Sequence, residues 1–392
     1  MAVARRPAGP AEPADDGGRR SRRRTDRTGG PARAGRPASR PRAGGRLHGL
    51  DVARSLAIVG MVAVNVGPRG AEGLLGTLHD LPLGRASLLF MLLAGIGMSL
   101  MTRTVRRPRR APLPWATILW RAALLLVGGL ALQLAAHEAS VILPVYGILF
   151  LASLPLLRAP AWLLGALAAA LLALGPLLWL ALRSGADAFA VAEPTLLDPP
   201  DEILRGILVT GSYPLVVWAA PFVAGLLLGR LDLRSPTLQR QLVLWGAVTA
   251  VAAYSLSRLL ILLLGEPDRS VGVHRLISAT AHSQMPLWLI SSTGAALFVL
   301  GLCLMGESFA ARRLSALVAA GRLSLTLYVG HLVALALVVR PGPDSLAGGI
   351  LTTVVICLVS VAFAWLWTRR FSAGPLERLL RLPRRGARRA AS

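Results

Sequence analysis

The chain has 392 residues, of which 54% are hydrophobic and only 16% are charged, and its formal net charge is +24. This composition excludes an ordinary soluble domain and is typical of a polytopic membrane protein. A strongly basic soluble protein would suggest nucleic acid, but no zinc-finger spacing or aromatic and basic platform accompanies the arginines, so we expect no nucleic-acid partner.

Residues 1–46 are rich in Arg, Pro, Gly and Ala and show no apolar periodicity. Such a segment buries too little surface to offset the entropy of ordering, and we predict a disordered cytoplasmic tail. No apolar stretch lies within the first 30 residues, so we do not expect a cleavable signal peptide there.

Ten apolar segments follow, and they predict ten membrane-spanning helices, because about 20 residues rising about 1.5 Å each cross the hydrocarbon layer. The predicted spans are residues 50–67, 84–103, 115–136, 141–157, 161–182, 212–230, 241–264, 286–305, 321–339 and 347–368. We therefore predict an all-α, polytopic helix bundle over residues 47–370, followed by a basic cytoplasmic C-terminal tail at 371–392.

Arginine placement predicts the orientation, because cytoplasmic loops retain positive charge during insertion. Ten crossings put all the arginine-rich segments on one side: both tails, residues 103–110, the loop with Arg230, Arg234 and Arg240, and the loop with Arg312 and Arg313. The opposite loops, 183–203 and 265–284, are richer in acids. We expect both termini in the cytoplasm, a plasma-membrane location and the lipid bilayer as partner, with a homodimer left open.

Polar residues at the outer ends of the spans are candidates for catalysis. The first group is Asn65, His79, Asp80 and Arg85, and the second is Gln133, His137 and Glu138. A histidine beside a carboxylate suits a general base, because its ordinary pKa leaves it mostly neutral and the acid can orient its ring. The competing interpretation of either pair is a solvated interfacial loop.

Charged residues at membrane depth are a second set of candidates, because an unpaired arginine there costs several kcal/mol. Arg258 lies within the seventh span and predicts a buried partner or an anionic ligand. Arg121 can extend to the cytoplasmic face, and Asp51 with Arg54 suggests a structural pair. His331, in the middle of the ninth span, either serves a site or hydrogen-bonds a neighbouring helix.

Several chemistries lack any motif. The sequence contains no Walker loop, H-E-x-x-H motif or nucleophile elbow, so phosphoryl transfer and zinc proteolysis have no support. Cys303 and Cys357 lie in apolar runs, which favours packed thiols over a disulfide or a metal pair, and we expect no metal.

Six segments, spread over nearly everything after the N-terminal tail, carry a family resemblance. They are LDVARSLAIVGMVAVN (50–65), GRASLLFMLLAGIGMSL (84–100), GSYPLVVWAAPFVAGLLLGRLDL (211–233), AHSQMPLWLISSTGAALFVLGLCL (281–304), GRLSLTLYVGHL (321–332) and GPLERLLR (374–381). In this order they resemble the YeiB-like bacterial membrane family, related to heparan-alpha-glucosaminide N-acetyltransferase in the transmembrane acyltransferase group.

The resemblance implies that an acyl group carried by cytoplasmic acetyl-CoA reaches a sugar, cell-wall or lipid acceptor on the far side. It implies a catalytic histidine in the loop after the first span, which His79, beside Asp80, matches best. Distantly similar acyltransferases pair an arginine with a histidine eleven residues later, whereas here Arg54 is followed at that distance by Asn65. Asparagine cannot act as a base, so the chemistry would depend on His79 or another outer histidine.

Within this scheme, His79 takes a proton from the acceptor or receives the acyl group, and outer side chains stabilise the oxyanion or hold the acceptor. Those side chains are Asn65, Arg85, Arg258, His282, Ser283 and His331. The phosphates of CoA would lie near Arg54, Arg121 and Arg322 at the inner ends.

Two other functions fit the same sequence. In a transporter or channel for a small anion or lipid, Arg258 and the histidines would bind cargo without a covalent step. In a scaffold or sensor, the arginine-rich tail would be held against anionic lipid. A polar tunnel from Arg121 to His79 would favour the enzyme.

Overall fold

The computed structural model describes residues 45–106, 112–135, 139–187 and 190–382. The predicted disordered tail lies outside them except for its last two residues, as do His137, Glu138 and the end of the C-terminal tail. The described residues form α-helices and short helical turns without strands, which confirms the all-α prediction for this part of the chain.

The α-helices are numbered in chain order. They are α1 His48–Asn65, α2 Gly73–Asp80, α3 Arg85–Met101, α4 Trp115–Gln133, α5 Leu143–Ala152, α6 Ala161–Arg183, α7 Pro200–Arg205, α8 Leu215–Leu228, α9 Pro236–Leu264, α10 Pro286–Met305, α11 Glu307–Arg313, α12 Ser315–Arg322, α13 Ser324–Ala334, α14 Leu346–Arg370 and α15 Pro375–Leu379. Two π-helical turns, Gly206–Thr210 and Leu335–Val339, follow α7 and α13 directly.

Six helices in the described residues are long and apolar enough to cross a membrane, with α2 and α3 counted together as Gly73–Met101. Two bent pairs raise the number to eight if each is one span. These helices confirm that the chain has the character of a membrane protein. The most outward-facing of them, α9 and α14, present long apolar side chains such as Leu262 and Leu358 on the surface.

Three predicted spans differ from the observed helices. The fourth, at 141–157, contains only the ten residues of α5 and a 3-10 turn at Pro155–Leu157, because proline removes a backbone donor and interrupts the helix. The sixth and ninth are parts of bent pairs: Pro200–Thr210 meets α8 at 64°, and α12 meets the segment Ser324–Val339 at 81°.

The bundle has two ends, which the two ends of α1 identify. Arg54 lies near the start of α1 and Asn65 ends it, so eleven residues separate them by about 16 Å along the axis. Gly97, late in α3, lies beside the Arg54 guanidinium, whereas Gly60, in the half of α1 nearer Asn65, lies beside Pro82 and Ala86. We call these ends the Arg54 end and the Asn65 end.

Backbone contact between α3 and α8 forms the rigid centre of the bundle. A Cβ atom on Gly95 would overlap the carbonyl oxygen of Phe222, and one on Gly225 would overlap that of Leu92. Only glycine allows such close approach on both sides, a device common where helices pack in membranes. The pair therefore fixes the positions of the side chains that α3 and α8 direct into the interior.

The segment after α14 folds back onto the Arg54 end. The Glu377 carboxylate in α15 accepts hydrogen bonds from the backbone amides of Leu325 and Thr326, at 2.8 and 3.1 Å, and from the Thr326 hydroxyl at 2.6 Å. The Trp120 indole donates to the Leu379 carbonyl at 2.8 Å. Part of the predicted basic tail is thus packed against α4 and α13.

Candidate functional site

Two interior cavities lie at opposite ends of the bundle. The first, the Asn65 cavity, has a volume of about 440 Å³, and its lining includes Asn65, Arg69, Ser87, Tyr213, His282, Gln284 and Tyr328. The second, the Arg54 cavity, has a volume of about 300 Å³, and its lining includes Arg54, Phe90, Arg121, Tyr146, Ser324 and Leu380. Polar groups that can handle protons line the first, and two guanidinium groups line the second.

A layer of three aromatic rings lies between the cavities. Phe90, on α3, packs against Tyr328 with ring centroids 6.0 Å apart and against Tyr146 with centroids 5.8 Å apart. Tyr328 lines the Asn65 cavity, whereas Phe90 and Tyr146 line the Arg54 cavity. The two cavities therefore meet at the Phe90–Tyr328 contact, and the position of neither ring followed from the sequence.

His282 is the histidine that lines the Asn65 cavity. Its ring is stacked between the indoles of Trp218 and Trp288, with centroids 5.8 Å from each, and Tyr213 approaches it edge-on at 5.7 Å. Its Nδ1 is buried and has no hydrogen-bond partner among the described residues. Burial lowers the pKa of His282 to about 4, with Arg69 adding to the decrease and the Ser212 carbonyl opposing it. The imidazole is therefore neutral at physiological pH, and its unpartnered Nδ1 can accept a hydrogen bond from a hydroxyl or amine in the cavity.

The loop that carries His282 has an unusual backbone. His282 and Gln284 adopt φ values of 57° and 62°, in the left-handed region that is costly for residues with a Cβ. Strain of this kind persists only where surrounding contacts enforce it, and it concentrates at functional sites. Both strained residues line the Asn65 cavity, whereas Ser283 between them does not.

Gln284 supplies the contacts that hold this loop. Its side-chain oxygen accepts from the Trp218 indole at 3.0 Å, and its side-chain nitrogen donates to the Ser212 carbonyl at 3.2 Å. Gly84, with φ +72°, lies against His282 and Trp288, and a Cβ there would be 2.9 Å from the Trp288 ring. The roles of Gln284, Trp218 and Trp288 did not follow from the sequence, because Trp218 lies 66 residues before Gln284 and no local pattern relates the two segments.

Asn65 and His331 are brought together at the same end of the bundle. The Asn65 amide nitrogen lies 3.4 Å from Nε2 of His331, whose ring meets Tyr328 edge-on at 5.2 Å. His331 is buried and does not line the Asn65 cavity. Of the two alternatives for His331, the structure shows the hydrogen bond to a neighbouring helix.

The predicted pair of His79 and Asp80 is not hydrogen-bonded in the described structure. The Asp80 carboxylate accepts from the backbone amide of Gly70 at 2.8 Å, so it holds the loop before α2. His79 is buried, its Nε2 has no hydrogen-bond partner among the described residues, and it lines neither cavity. The anticipated tunnel from Arg121 to His79 is replaced by two cavities, and the one at the Asn65 end leads to His282.

The remaining predicted acceptor-binding residues lie away from the Asn65 cavity. Arg258 is exposed on α9, with no buried partner among the residues that the structure describes. The Arg85 guanidinium donates to the Leu81 carbonyl at 3.0 Å within its own turn. The Ser283 hydroxyl is buried and donates a hydrogen bond within its own loop, to the Ser278 carbonyl at 3.5 Å.

Two of the three predicted donor-binding arginines line the Arg54 cavity. Arg54 donates to the buried Asp51 carboxylate at 2.9 Å, which confirms their pairing. Arg121 donates to the Leu380 carbonyl at 3.3 Å and contacts the Met101 sulfur. Arg322 lies nearby, where it donates to the Ser372 carbonyl at 3.0 Å, but it does not line the cavity.

Metal chemistry has no visible site in the described part of the chain. No group of three or more His, Cys, Asp or Glu side chains there could hold an ion. Cys303 and Cys357 are both free thiols.

Comparison with known proteins gives one family match. Residues 228–383, from the end of α8 to just beyond α15, match the family described as a protein of unknown function, DUF418. This is the family of YeiB-like proteins. The matched region contains His282 and His331 but begins after Asn65 and His79. No curated protein matches the chain.

Proposed function

We propose that this chain is a plasma-membrane acyltransferase of ten spans with both termini cytoplasmic. It would move an acetyl or acyl group from cytoplasmic acetyl-CoA to an extracytoplasmic sugar, cell-wall or lipid acceptor. The observation that carries the proposal is the pair of cavities at opposite ends of the bundle, which meet at the contact between Phe90 and Tyr328.

Arginine-rich segments support the orientation. The Arg54 end holds Arg230, whose guanidinium donates to the carbonyls of Leu156 and Ala159 at the turn after α5. This end also holds the segment after α14, which is basic. Because positive loops stay in the cytoplasm, the Arg54 cavity faces cytoplasmic CoA in this scheme, and the Asn65 cavity faces outward.

The Arg54 cavity suits the donor. Arg54 and Arg121 provide guanidinium groups for phosphate oxygens, and the rest of the wall is largely apolar, with Leu93, Met98 and Phe150 among its residues. A thioester arm would extend along this wall toward Phe90, where the two cavities meet.

The Asn65 cavity suits proton transfer from the acceptor. We assign the general base to His282, because it lines this cavity as a neutral imidazole, whereas His79 does not line it. His282 removes the proton from an acceptor hydroxyl or amine as that atom attacks the thioester carbonyl carbon. The carbon–sulfur bond then breaks, the departing thiolate of CoA takes up a proton from water, and the protonated His282 returns its proton to water. The Asn65 amide can donate to the developing oxyanion.

Labelled acetyl-CoA tests the proposal. Purified protein in uncharged detergent is incubated with radiolabelled acetyl-CoA and a cell-envelope extract, and label in the envelope fraction is counted. We expect His282→Gln to reduce transfer by a factor of about 10² to 10⁴, the usual contribution of a general base. His79→Gln and the control His274→Gln, at an exposed outer-loop histidine, should retain transfer.

The alternative of a transporter for a small anion or lipid makes different use of the same two cavities. In that case the aromatic layer would separate two access routes, and no covalent bond would form. Sealed vesicles distinguish the two functions, because transfer releases one free CoA thiol for each acylated acceptor. Cargo movement without thiol release, or absence of acetyl-CoA binding, would contradict the enzyme.

A further inference from the structure

A third space, which we call the Arg340 crevice, adjoins the Asn65 cavity. It has a volume of about 940 Å³ and is lined by Val64–Arg69, Leu335 and Val339–Asp344. Val64, Asn65 and Arg69 line both spaces, so a ligand in the crevice would lie next to the proposed reaction site.

The charges along these two spaces are mainly positive. Arg69 and Arg340 line the crevice against one carboxylate, Asp344. Arg69 and Arg183 line the Asn65 cavity, where no described residue contributes a carboxylate. In the crevice itself, two guanidinium groups facing one carboxylate favour an anionic ligand, and phosphate oxygens suit the planar fork of arginine.

Local contacts hold the loop that carries Arg69. Its Nε donates to the Val64 carbonyl at 3.2 Å, and its two terminal nitrogens donate to no described residue. The next residue, Gly70, is held by Asp80. Gly67, with φ +81°, packs so closely on Gly349 that a Cβ there would be 2.8 Å from the Gly349 Cα atom. Arg69 is therefore held in place while its two terminal nitrogens can donate hydrogen bonds to a ligand.

A single helical turn forms the opposite wall of the crevice and separates the crevice from the surface of the bundle. In the π-helical segment Leu335–Val339, Leu335 and Val339 line the crevice, whereas Leu337 and Val338 are 79% and 81% exposed. Two large apolar side chains with that exposure would face the acyl chains of a bilayer. The charged crevice thus lies beside a surface suited to a lipid tail.

We propose that the Arg340 crevice binds the phosphate-bearing headgroup of a lipid-linked acceptor, with Arg69 and Arg340 contacting the phosphate and the lipid chain lying along Leu337 and Val338. This inference rests on the proposed function, since it gives the class of acceptor for the same site. An acceptor anchored in this way would present its hydroxyl or amine to His282 through the wall shared by Asn65 and Arg69.

Binding of short-chain lipids tests the inference without turnover. The full chain in uncharged maltoside detergent is titrated with dioctanoyl phosphatidate, dioctanoyl phosphatidylcholine or inorganic phosphate, and the melting temperature is recorded. Phosphatidate should raise the melting temperature saturably, because it binds the folded state. Phosphatidylcholine should have no saturable effect, and inorganic phosphate should need at least about a tenfold higher concentration, a difference of about 1.4 kcal/mol.

Variants locate the site. Arg69→Gln and Arg340→Gln should each raise the half-saturating phosphatidate concentration by at least about tenfold. The matched control is Arg258→Gln, which removes an exposed arginine outside the crevice, and it should leave the concentration unchanged. Melting temperatures without lipid show whether each variant is folded, and two independent variants protect the test against failure of one.

Three outcomes would overturn the inference. Equal binding of phosphatidylcholine would show that the net negative charge of the headgroup is not recognised, and equal binding of inorganic phosphate would show that the lipid chain contributes nothing. An equal loss in Arg258→Gln would show a general charge effect. None of these depends on acetyl-CoA, so acyl transfer can fail while lipid binding succeeds, and the reverse.

Discussion

The side-chain amide of Asn65 lies 3.4 Å from Nε2 of His331, which joins the end of α1 to the last turn of α13. A hydrogen bond of this kind contributes about 0.5–1.5 kcal/mol to stability. We expect Asn65→Ala and His331→Ala each to lower the free energy of unfolding, and the double variant to lose about 1 kcal/mol less than their sum. Unfolding of the four proteins in detergent measures this coupling.

The control for that cycle combines Asn65→Ala with His274→Ala, at an exposed histidine in the loop after α9. Two changes without a shared contact should add within about 0.5 kcal/mol. A coupling as large as that of Asn65 with His331 would mean that the measurement reflects a global effect rather than the hydrogen bond.

Backbone contact between α3 and α8 predicts a sharp difference between glycines. Gly95→Ala and Gly225→Ala each place a methyl group against a carbonyl oxygen of the neighbouring helix, and overpacking of this kind costs about 1–3 kcal/mol. Gly128→Ala, in α4, meets no atom within 4 Å and should be neutral or stabilising by up to about 1 kcal/mol. Thermal unfolding in detergent compares them, and similar losses at all three positions would contradict the close packing.

The depressed pKa of His282 predicts a stability change with pH. Its pKa is about 4 in the folded protein and about 6.5 ordinarily, so between these values the unfolded chain binds a proton that the folded chain does not. The contribution of the neutral His282 to the stability of the folded protein is complete above pH 6.5 and is lost as the pH falls toward 4. We expect the melting temperature to fall over this interval, and to fall less steeply in His282→Gln.

Thr77→Ser is the control for the pH series, because that exposed side chain in α2 does not titrate and donates only to the Gly73 carbonyl. The slope of the melting temperature of this variant between pH 6.5 and 4 should match that of the unaltered protein. Identical slopes in all three proteins would show that His282 is not held neutral by burial.

Glu377 predicts how firmly the C-terminal segment is attached. Glu377→Gln weakens three hydrogen bonds that a carboxylate makes to α13, and charged hydrogen bonds contribute about 1.5–3 kcal/mol. Trypsin cuts a folded protein where a segment opens locally, and weaker hydrogen bonds let this segment open more often. Cleavage after Arg378 or Arg381 should therefore accelerate by about tenfold or more. The control Glu202→Gln changes an exposed carboxylate in α7, and mass spectrometry of the fragments should show no acceleration there.

Long apolar runs located the helices from sequence, because a helix that crosses lipid needs a length that loops and soluble helices rarely reach. The bends did not follow from the sequence. Residues 321–339 form one continuous apolar run, yet the chain turns by 81° at Leu323, where Glu377 binds the first amides of α13. That bend depends on a contact with a residue more than 50 positions away.

The candidate site was predicted in part. Asn65, His282, Arg54 and Arg121 line the cavities as the sequence analysis expected of binding residues, whereas His79 was favoured because Asp80 is its neighbour in sequence. Adjacent residues in a helix point in different directions, and the Asp80 carboxylate accepts a hydrogen bond from the Gly70 amide instead. The stacking of His282 on Trp218 and Trp288 involves two separate segments, which composition and spacing do not reveal.

The bend at Leu323 also places Tyr328, one side of the partition between the two cavities, on a different helix from Phe90. Tyr328 lies five residues beyond that bend, about 7 Å along α13, whereas Phe90 belongs to the tightly packed pair of α3 and α8. A tilt of α13 by about 10° would shift the Tyr328 backbone by about 1 Å while Phe90 stays in place. The partition therefore consists of Phe90, which the contact between α3 and α8 holds, and Tyr328, whose position depends on the angle of α13.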